Sequence, residues 1–241
     1  LSPDRRRHRG AHPEDAKLFA HEQIESLRTA VSELSWLLGR GYQLKSSLKL
    51  VGDRHNLRER QRLAAARAAC SDEARKRRLA REVNSSEVEG AELIVDGFNL
   101  VITLEAALGG GALVLCRDGC VRDLSSVHGS YRAVEETERA VTLAGEVLDA
   151  LGPASALWLF DSPVSHSGRL AERVRAVAAE RGWLWEVRAE FNPDRSIVNS
   201  ERLAVTSDSN VLDGAARWLN LARLIVERHV TRPWLLDLNV T

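Results

Sequence analysis

Three aspartates stand at the ends of three apolar runs. Ile94-Val95 leads into Asp96, Leu157-Trp158-Leu159-Phe160 leads into Asp161, and Leu203-Ala204-Val205 passes through Thr206-Ser207 into Asp208. Each run has the length and composition of a buried strand. Helical sequence separates them, so the strands are expected to lie parallel with their carboxyl ends on one edge of a sheet. Ligands bind at that edge in open parallel sheets. Carboxylates converging there repel one another unless a divalent cation sits among them. The expected site is an oxygen-ligated Mg2+ or Mn2+ held by Asp96, Asp161, Asp208 and Asp213, the last on the helix that Asp208 begins. Such a cation polarises a phosphodiester and lowers the pKa of an attacking water. Asn99 and Ser207 are placed to hydrogen-bond the metal ligands. Glu135 or Glu136 adds a further carboxylate from a neighbouring helix, and the sequence leaves the choice between them open. One aspartate at a strand end commonly just caps the next helix; three at equivalent ends point to a metal.

Other chemistries fit less well. Ser162, Ser165 and His166 follow the second strand, but a serine-hydrolase elbow needs a glycine-flanked serine on a strand-to-helix turn, and Pro163 follows Ser162. Ser162 is instead read as a substrate contact. Arg169, opening the next helix, is placed to meet a phosphate beside that helix's N-terminus. Gly109-Gly110-Gly111 follows a helix, precedes a strand and has no lysine after it, so it is not a phosphate loop. A phosphotransferase with an aspartate nucleophile commonly has a second aspartate two residues on. Positions 98 and 163 hold Phe and Pro instead.

The elements that must position these residues divide into two modules. Residues 1–12, with Asp4-Arg5-Arg6-Arg7-His8-Arg9, lack apolar periodicity and read as a disordered arm. Residues 13–88 read as a small all-α module. Pro13-Glu14-Asp15 opens a helix whose apolar face (Phe19, Ile24, Leu27, Val31, Leu34, Leu38) is core or a homodimer seam, closed by Gly39 and Gly41. A second helix begins near Asn56 with Glu59 as its capping partner, and Ser71-Asp72 caps a third. Residues 89–241 read as an α/β domain. Helices are expected at Phe98–Leu108, Tyr131–Leu151 and Leu170–Arg181. A hairpin turns at Arg117-Asp118-Gly119, and further strands lie at Trp183–Val187 and Trp234–Leu238. The fold class is α/β, a mostly parallel sheet with helices on both faces, preceded by the helical module.

The 241 residues have a formal net charge of zero, but the charge is unevenly spread. Residues 1–90 hold 19 Lys and Arg against 13 Asp and Glu; the rest hold 15 against 21. A basic module beside an acidic one suits a nucleic-acid grip attached to a metal site, or an interface between opposite charges. Lys45, Lys49, Arg54, Arg58 and Arg62, with Tyr42 nearby, form the expected RNA-contacting surface. No apolar run is long enough for a membrane helix and no secretion signal opens the chain, which predicts a cytoplasmic protein without a membrane partner. Three cysteines argue against a disulfide framework. Cys116, Cys120 and His128 do not match a structural zinc spacing.

At the acidic motifs the sequence resembles a known superfamily. Ile94-Val95-Asp96-Gly97-Phe98-Asn99, Phe160-Asp161-Ser162 and Thr206-Ser207-Asp208-Ser209 resemble the motifs of the PIN-like and NYN-type metal-dependent nucleases, over roughly residues 91–230. The N-terminal stretch, from Arg40-Gly41-Tyr42 through Ser47–Arg54 to Arg60-Gln61-Arg62, resembles a bacterial and archaeal domain-of-unknown-function family. The resemblance implies an α/β sheet with clustered acids that bind Mg2+ or Mn2+ and cut RNA. Asp96 matches the first-strand aspartate, Asp161 the central one of NYN-type members and Asp208 the late one. Asp213 matches the downstream carboxylate, and Glu135 or Glu136 the helix glutamate of PIN-type members. The hairpin at Ala112–Leu124 departs from the pattern. The expectation is a metal-dependent ribonuclease; the alternatives are an RNA-binding protein without catalysis and a small-molecule phosphatase or phosphotransferase.

Overall fold

A computed structural model describes residues 8–125 and 131–240. The first module is helical: α1 (Asp15–Leu18), α2 (His21–Gly39), α3 (Leu44–Arg54), α4 (Glu59–Ala68) and α5 (Asp72–Leu79). The helix expected from Pro13 is split, because Ala20 takes an extended conformation between α1 and α2. The apolar face of α2 is core rather than a dimer seam: Leu27, Val31 and Leu34 are fully buried. Helix α4 begins at Glu59 and not near Asn56, whose φ of 52 is left-handed. Its cap is closed by Gln61, which accepts the Arg58 N–H at 3.0 Å. Ser71 caps α5 as expected, accepting from the Ala74 N–H at 3.1 Å.

The second module runs β1 (Glu92–Asp96), α6 (Gly97–Leu108), β2 (Leu113–Leu115), β3 (Val121–Asp123), α7 (Thr137–Leu151), β4 (Ser155–Asp161), α8 (Ser167–Arg181), β5 (Trp185–Glu190), α9 (Pro193–Val198), β6 (Leu203–Val205), α10 (Ser209–Gly214), β7 (Trp218–Leu219), α11 (Leu221–His229) and β8 (Leu235–Asp237). Five strands form a parallel sheet in the order β5-β4-β1-β6-β7. Side chains alternate across it. Leu93, Val95, Trp158 and Phe160 join the core under α6, α7, α8 and α11. Ile94, Leu157, Leu159 and Ala204 face the core made with α9, α10 and Trp218. Burial on both faces explains why these strands are apolar throughout rather than alternating. Helix α7 starts at Thr137, six residues later than expected, so Glu135 and Glu136 precede it.

The hairpin forms as expected, with β2 and β3 antiparallel. Strand β8 adds to it in parallel, making a separate three-stranded sheet. One face of that sheet, Val114, Cys116 and Leu236, shares a core with Leu27, Val31 and Ala65 of the helical module. The two modules are thus distinct in sequence but share a core. Arg9, expected in a disordered arm, is buried; residues 1–7 lie outside the described part. Its Nε donates to Glu105 of α6 at 2.6 Å, and the Tyr131 and Thr137 hydroxyls donate to the same carboxylate. A buried glutamate needs a counter-charge, and this one takes it from the N-terminal segment. No helix among the described residues is long and apolar enough to cross a membrane. The three cysteines are buried and unpaired; His128 lies outside the described residues.

The hairpin turn carries Asp118, which has no solvent exposure. Arg78 of α5 donates to it at 2.7 Å, and Arg122 of β3 donates at 2.9 and 2.7 Å. The two guanidiniums hold its carboxyl at about 2, overcoming the opposing effect of burial. Breaking a buried pair by removing one partner leaves uncompensated charge, costing about 3–5 kcal/mol. Asp118→Ala is therefore expected to lose that much unfolding free energy at pH 7, measured by urea titration. Because the folded pKa is depressed, the stabilisation is complete above the ordinary value of 3.8 and lost as pH falls through about 2. The deficit of the variant must shrink across that window; a pH-independent deficit would refute the assignment.

Candidate metal centre

The carboxyl edge of the sheet opens into a cleft of about 330 Å³. Asp96, Asp161 and Asp208 all line it, and so do two acids the sequence reading passed over, Asp194 and Asp123. Asp96 ends β1, and the chain turns at once into α6. Gly97 is required there, since a Cβ would run into the Phe160 ring. Asp96 accepts the Asn99 N–H at 3.3 Å and the Thr206 hydroxyl at 3.0 Å. Asp208 caps α10, accepting from the N–H groups of Asn210 and Val211 at 2.8 and 3.2 Å through one oxygen. Both aspartates therefore also fill the capping role that a lone strand-end aspartate would have. Asn99 accepts from the Ser207 N–H and hydroxyl, both at 2.8 Å, while Arg122 donates to the Ser207 carbonyl at 2.7 Å. Ser207 is clamped from two sides, and this fixes the approach to Asp208.

The electrostatics tie the acids together. Burial, followed by the charge of Asp208, pushes the Asp96 carboxyl up to about 7, with a smaller contribution from Asp194. Asp194 is raised by burial and then by Asp208 and Asp161. Among the described residues, none of these four carboxylates has a Lys, Arg or His partner within ion-pair distance. An uncompensated cluster of hard oxygen donors has the composition of a Mg2+ or Mn2+ site. As it stands the spacing is open: among the described residues no three His, Cys, Asp or Glu side chains are gathered closely enough to hold an ion.

Other expected site residues lie elsewhere. Asp213 is bound by Arg77 at 2.9 Å and by Arg78 at 2.8 Å, and the arginines overcome burial to lower its pKa. It belongs to the Asp118 network and does not line the cleft. Glu135 and Glu136 lie beside His8, at 3.7 and 2.8 Å. Ser162 and Arg169 are exposed and outside the cleft lining. Part of the basic surface is paired with neighbouring acids at the surface. Lys49 and Arg62 both bind Asp53, at 2.9 and 2.7 Å, and Arg54 reaches Glu33 at 3.3 Å, leaving Lys45 and Arg58 exposed. Helix α3, which carries Lys49 and Arg54, was not anticipated, although Leu44, Leu48 and Val51 have helical spacing. Asp194 was legible by the strand-end rule, had β5 been followed to Glu190 and into the Pro193 turn. Asp123 and Arg67, which also line the cleft, carry no local signal, because the hairpin and α4 reach it only through the fold.

An α/β protein with an unneutralised acidic cleft at the sheet edge is the class that fold and site define. The chain belongs to the family described as "Domain of unknown function (DUF5616)", whose model matches residues 85–224. A second model, "Protein of unknown function (DUF434)", matches residues 26–81. The chain is 32% identical over 187 residues to "Uncharacterized protein MJ0935" of Methanocaldococcus jannaschii, covering 78% of this chain and 89% of that protein. No solved structure matches.

The raised Asp96 carboxyl gives a direct test of the cluster. The folded chain keeps this proton up to about 7, whereas an ordinary aspartate loses it near 3.8. Between those values the unfolded chain releases the proton and the folded chain does not, so the metal-free fold loses stability progressively across that interval. In chelator at pH 8, Asp96→Asn should be more stable than wild type by about 2 kcal/mol, with no gain at pH 3.5. Urea titrations at the two pH values check this; equal stability of variant and wild type at both means that burial and the neighbouring acids do not disfavour the Asp96 carboxylate.

Proposed function

We propose that the protein is a metal-dependent ribonuclease, hydrolysing RNA phosphodiester bonds at a Mg2+ or Mn2+ site in this cleft. The observation that carries the reading is the convergence of Asp96, Asp161, Asp194 and Asp208 on one cleft, none of them within ion-pair distance of a cationic side chain among the described residues. The resemblance of their motifs to those of PIN-like and NYN-type nucleases supports it. Asp96, Asp161 and Asp208 would hold the cation, and Asp194 replaces Asp213 as the fourth carboxylate. Bound there, the cation would polarise a phosphoryl oxygen of the substrate and lower the pKa of a water.

The chain's own groups divide the remaining work. Asp194, whose affinity for protons is raised, would take the proton from water as its oxygen bonds to phosphorus, while the opposite P–O bond breaks and the departing ribose oxygen takes a proton from solvent. Asn99 has its carbonyl oxygen occupied by Ser207, which leaves its NH2 for a substrate oxygen. Phe98 packs edge-on against Phe160 and lies 5.3 Å from the Tyr131 ring, closing the apolar side of the cleft entrance. Three buried, unpaired thiols fit a reducing compartment, and we place the protein in the cytoplasm. A second reading, an RNA-binding protein without catalysis, draws on the open spacing of the carboxylates.

Incubation of cellular RNA with Mn2+ is expected to give cleavage by wild type. Asp96→Asn and Asp208→Asn should each reduce it by about a hundredfold or more, whereas Asp213→Asn should retain it in proportion to its folded fraction. Equal cleavage by wild type and Asp96→Asn removes the site. An inactive wild type that still binds RNA establishes the second reading.

A further inference from the structure

Two arginines border the acidic cleft, and they differ in one respect. Every nitrogen of Arg122 is committed: Nε to the Ser207 carbonyl, Nη1 to the Arg67 carbonyl at 3.1 Å and to Asp118, and Nη2 to Asp118. Arg67, from the last turn of α4, is the opposite case. Its guanidinium makes no hydrogen bond or ion pair among the described residues, and its Nε is shut off from water without a partner. An unsatisfied buried donor costs about 1–3 kcal/mol, more when charged. Five carboxylates line the same cleft, yet none is within ion-pair distance of Arg67. Its backbone is held away from them by the Arg122 bond to its carbonyl and by Ala64, Ala65 and Ala68, which are buried in the module's core. A guanidinium that lines the same cleft as these acids, and is bonded to none of them, is arranged for an anion that enters the cleft.

We propose that Arg67 seats a phosphate group of the substrate, so that the helical module supplies part of the binding site on the α/β module. This rests on the reading of the cleft as a phosphodiester site. A phosphodiester has one negative charge and two non-bridging oxygens. A planar guanidinium can take both oxygens, or one oxygen doubly, and an ammonium cannot match that geometry. Arg67 is a positioning residue: it does not touch the attacking water, and it sets where the phosphorus sits relative to the carboxylates. Arg67 is then a cation that the helical module supplies at the cleft itself, whereas Lys49, Arg54 and Arg62 pair with Asp53 and Glu33 on the module's surface.

The test uses the full chain with a short, fluorescently labelled, single-stranded phosphorothioate RNA in Mn2+, read by anisotropy across a salt series. Arg67→Ala is expected to weaken binding by about tenfold to a hundredfold. The slope of log affinity against log salt should fall by about 0.7, the loss of one phosphate contact on a single strand. Arg67→Lys should restore the slope and only part of the affinity. Thermal unfolding of both variants should match or exceed wild type, because the unsatisfied donor is gone. Wild-type affinity and slope in Arg67→Ala would overturn the proposal and leave the cleft reading intact. Binding through Arg67 without any cleavage of the unmodified RNA in Mn2+ would overturn the hydrolase reading and keep the phosphate seat. No RNA binding by wild type removes both.

Discussion

Asp118 is the point at which the separate parts of this molecule are tied together. It sits in a hairpin turn, without solvent, between an arginine of the helical module and an arginine of its own strand. Neither arginine stops there. Arg78 goes on to Asp213 and to the Ser209 carbonyl at the start of α10. Arg122 goes on to the Ser207 carbonyl and the Arg67 carbonyl. One buried carboxylate therefore sets where the helical module, the hairpin and the loop before Asp208 lie relative to each other. A surface ion pair would contribute little to such positioning, because solvent screens it and its side chains move. Burial makes the same contact strong and exacting in geometry, since every donor must be satisfied where it stands.

The cleft shows the reverse arrangement. In the Asp118 network acids and arginines are matched closely, but Asp96, Asp161, Asp194 and Asp208 are without an ion-pair partner among the described residues. Asp96 stays in place because it also serves the fold, accepting from Asn99 and Thr206. Asp208 does the same at the start of α10. Capping and site formation are not rival explanations for these residues. Capping holds each carboxylate at a fixed spot, and their shared location creates the field. Asp213 shows what an acid of the same region looks like when the structure neutralises it: two arginines hold it and lower its pKa.

Much of this could be read from the chain. The apolar runs before Asp96, Asp161 and Asp208 identified strands buried on both faces, and the edge on which they end followed from parallel pairing. The hairpin at residues 112–124 and the cap at Ser71 were legible because their signals are local. What was not legible depends on distant pairing. Asp213 has the right spacing for a site residue, and only the position of α5 reveals the arginines that take it. The basic residues of α3 and α4 give no sign in sequence that Lys49, Arg54 and Arg62 have acidic neighbours in Asp53 and Glu33. Arg67 carried no signal, since its meaning comes from being the guanidinium that nothing claims. Arg9 was misread for the same reason: its partner lies 96 residues away.

Strand β8 pairs with the hairpin, and Leu236 and Leu238 complete a core otherwise built largely from residues 19–68. A chain emerging from the ribosome can form α2, α3 and α4 early, because their contacts are local. It cannot seal them until residues beyond 234 are available to close the small sheet. The first module made is thus the last to be finished, and during synthesis its apolar floor stays uncovered. Chaperone dependence and the cost of late truncations would fall on the N-terminal helices, far along the sequence from the residues that cause it.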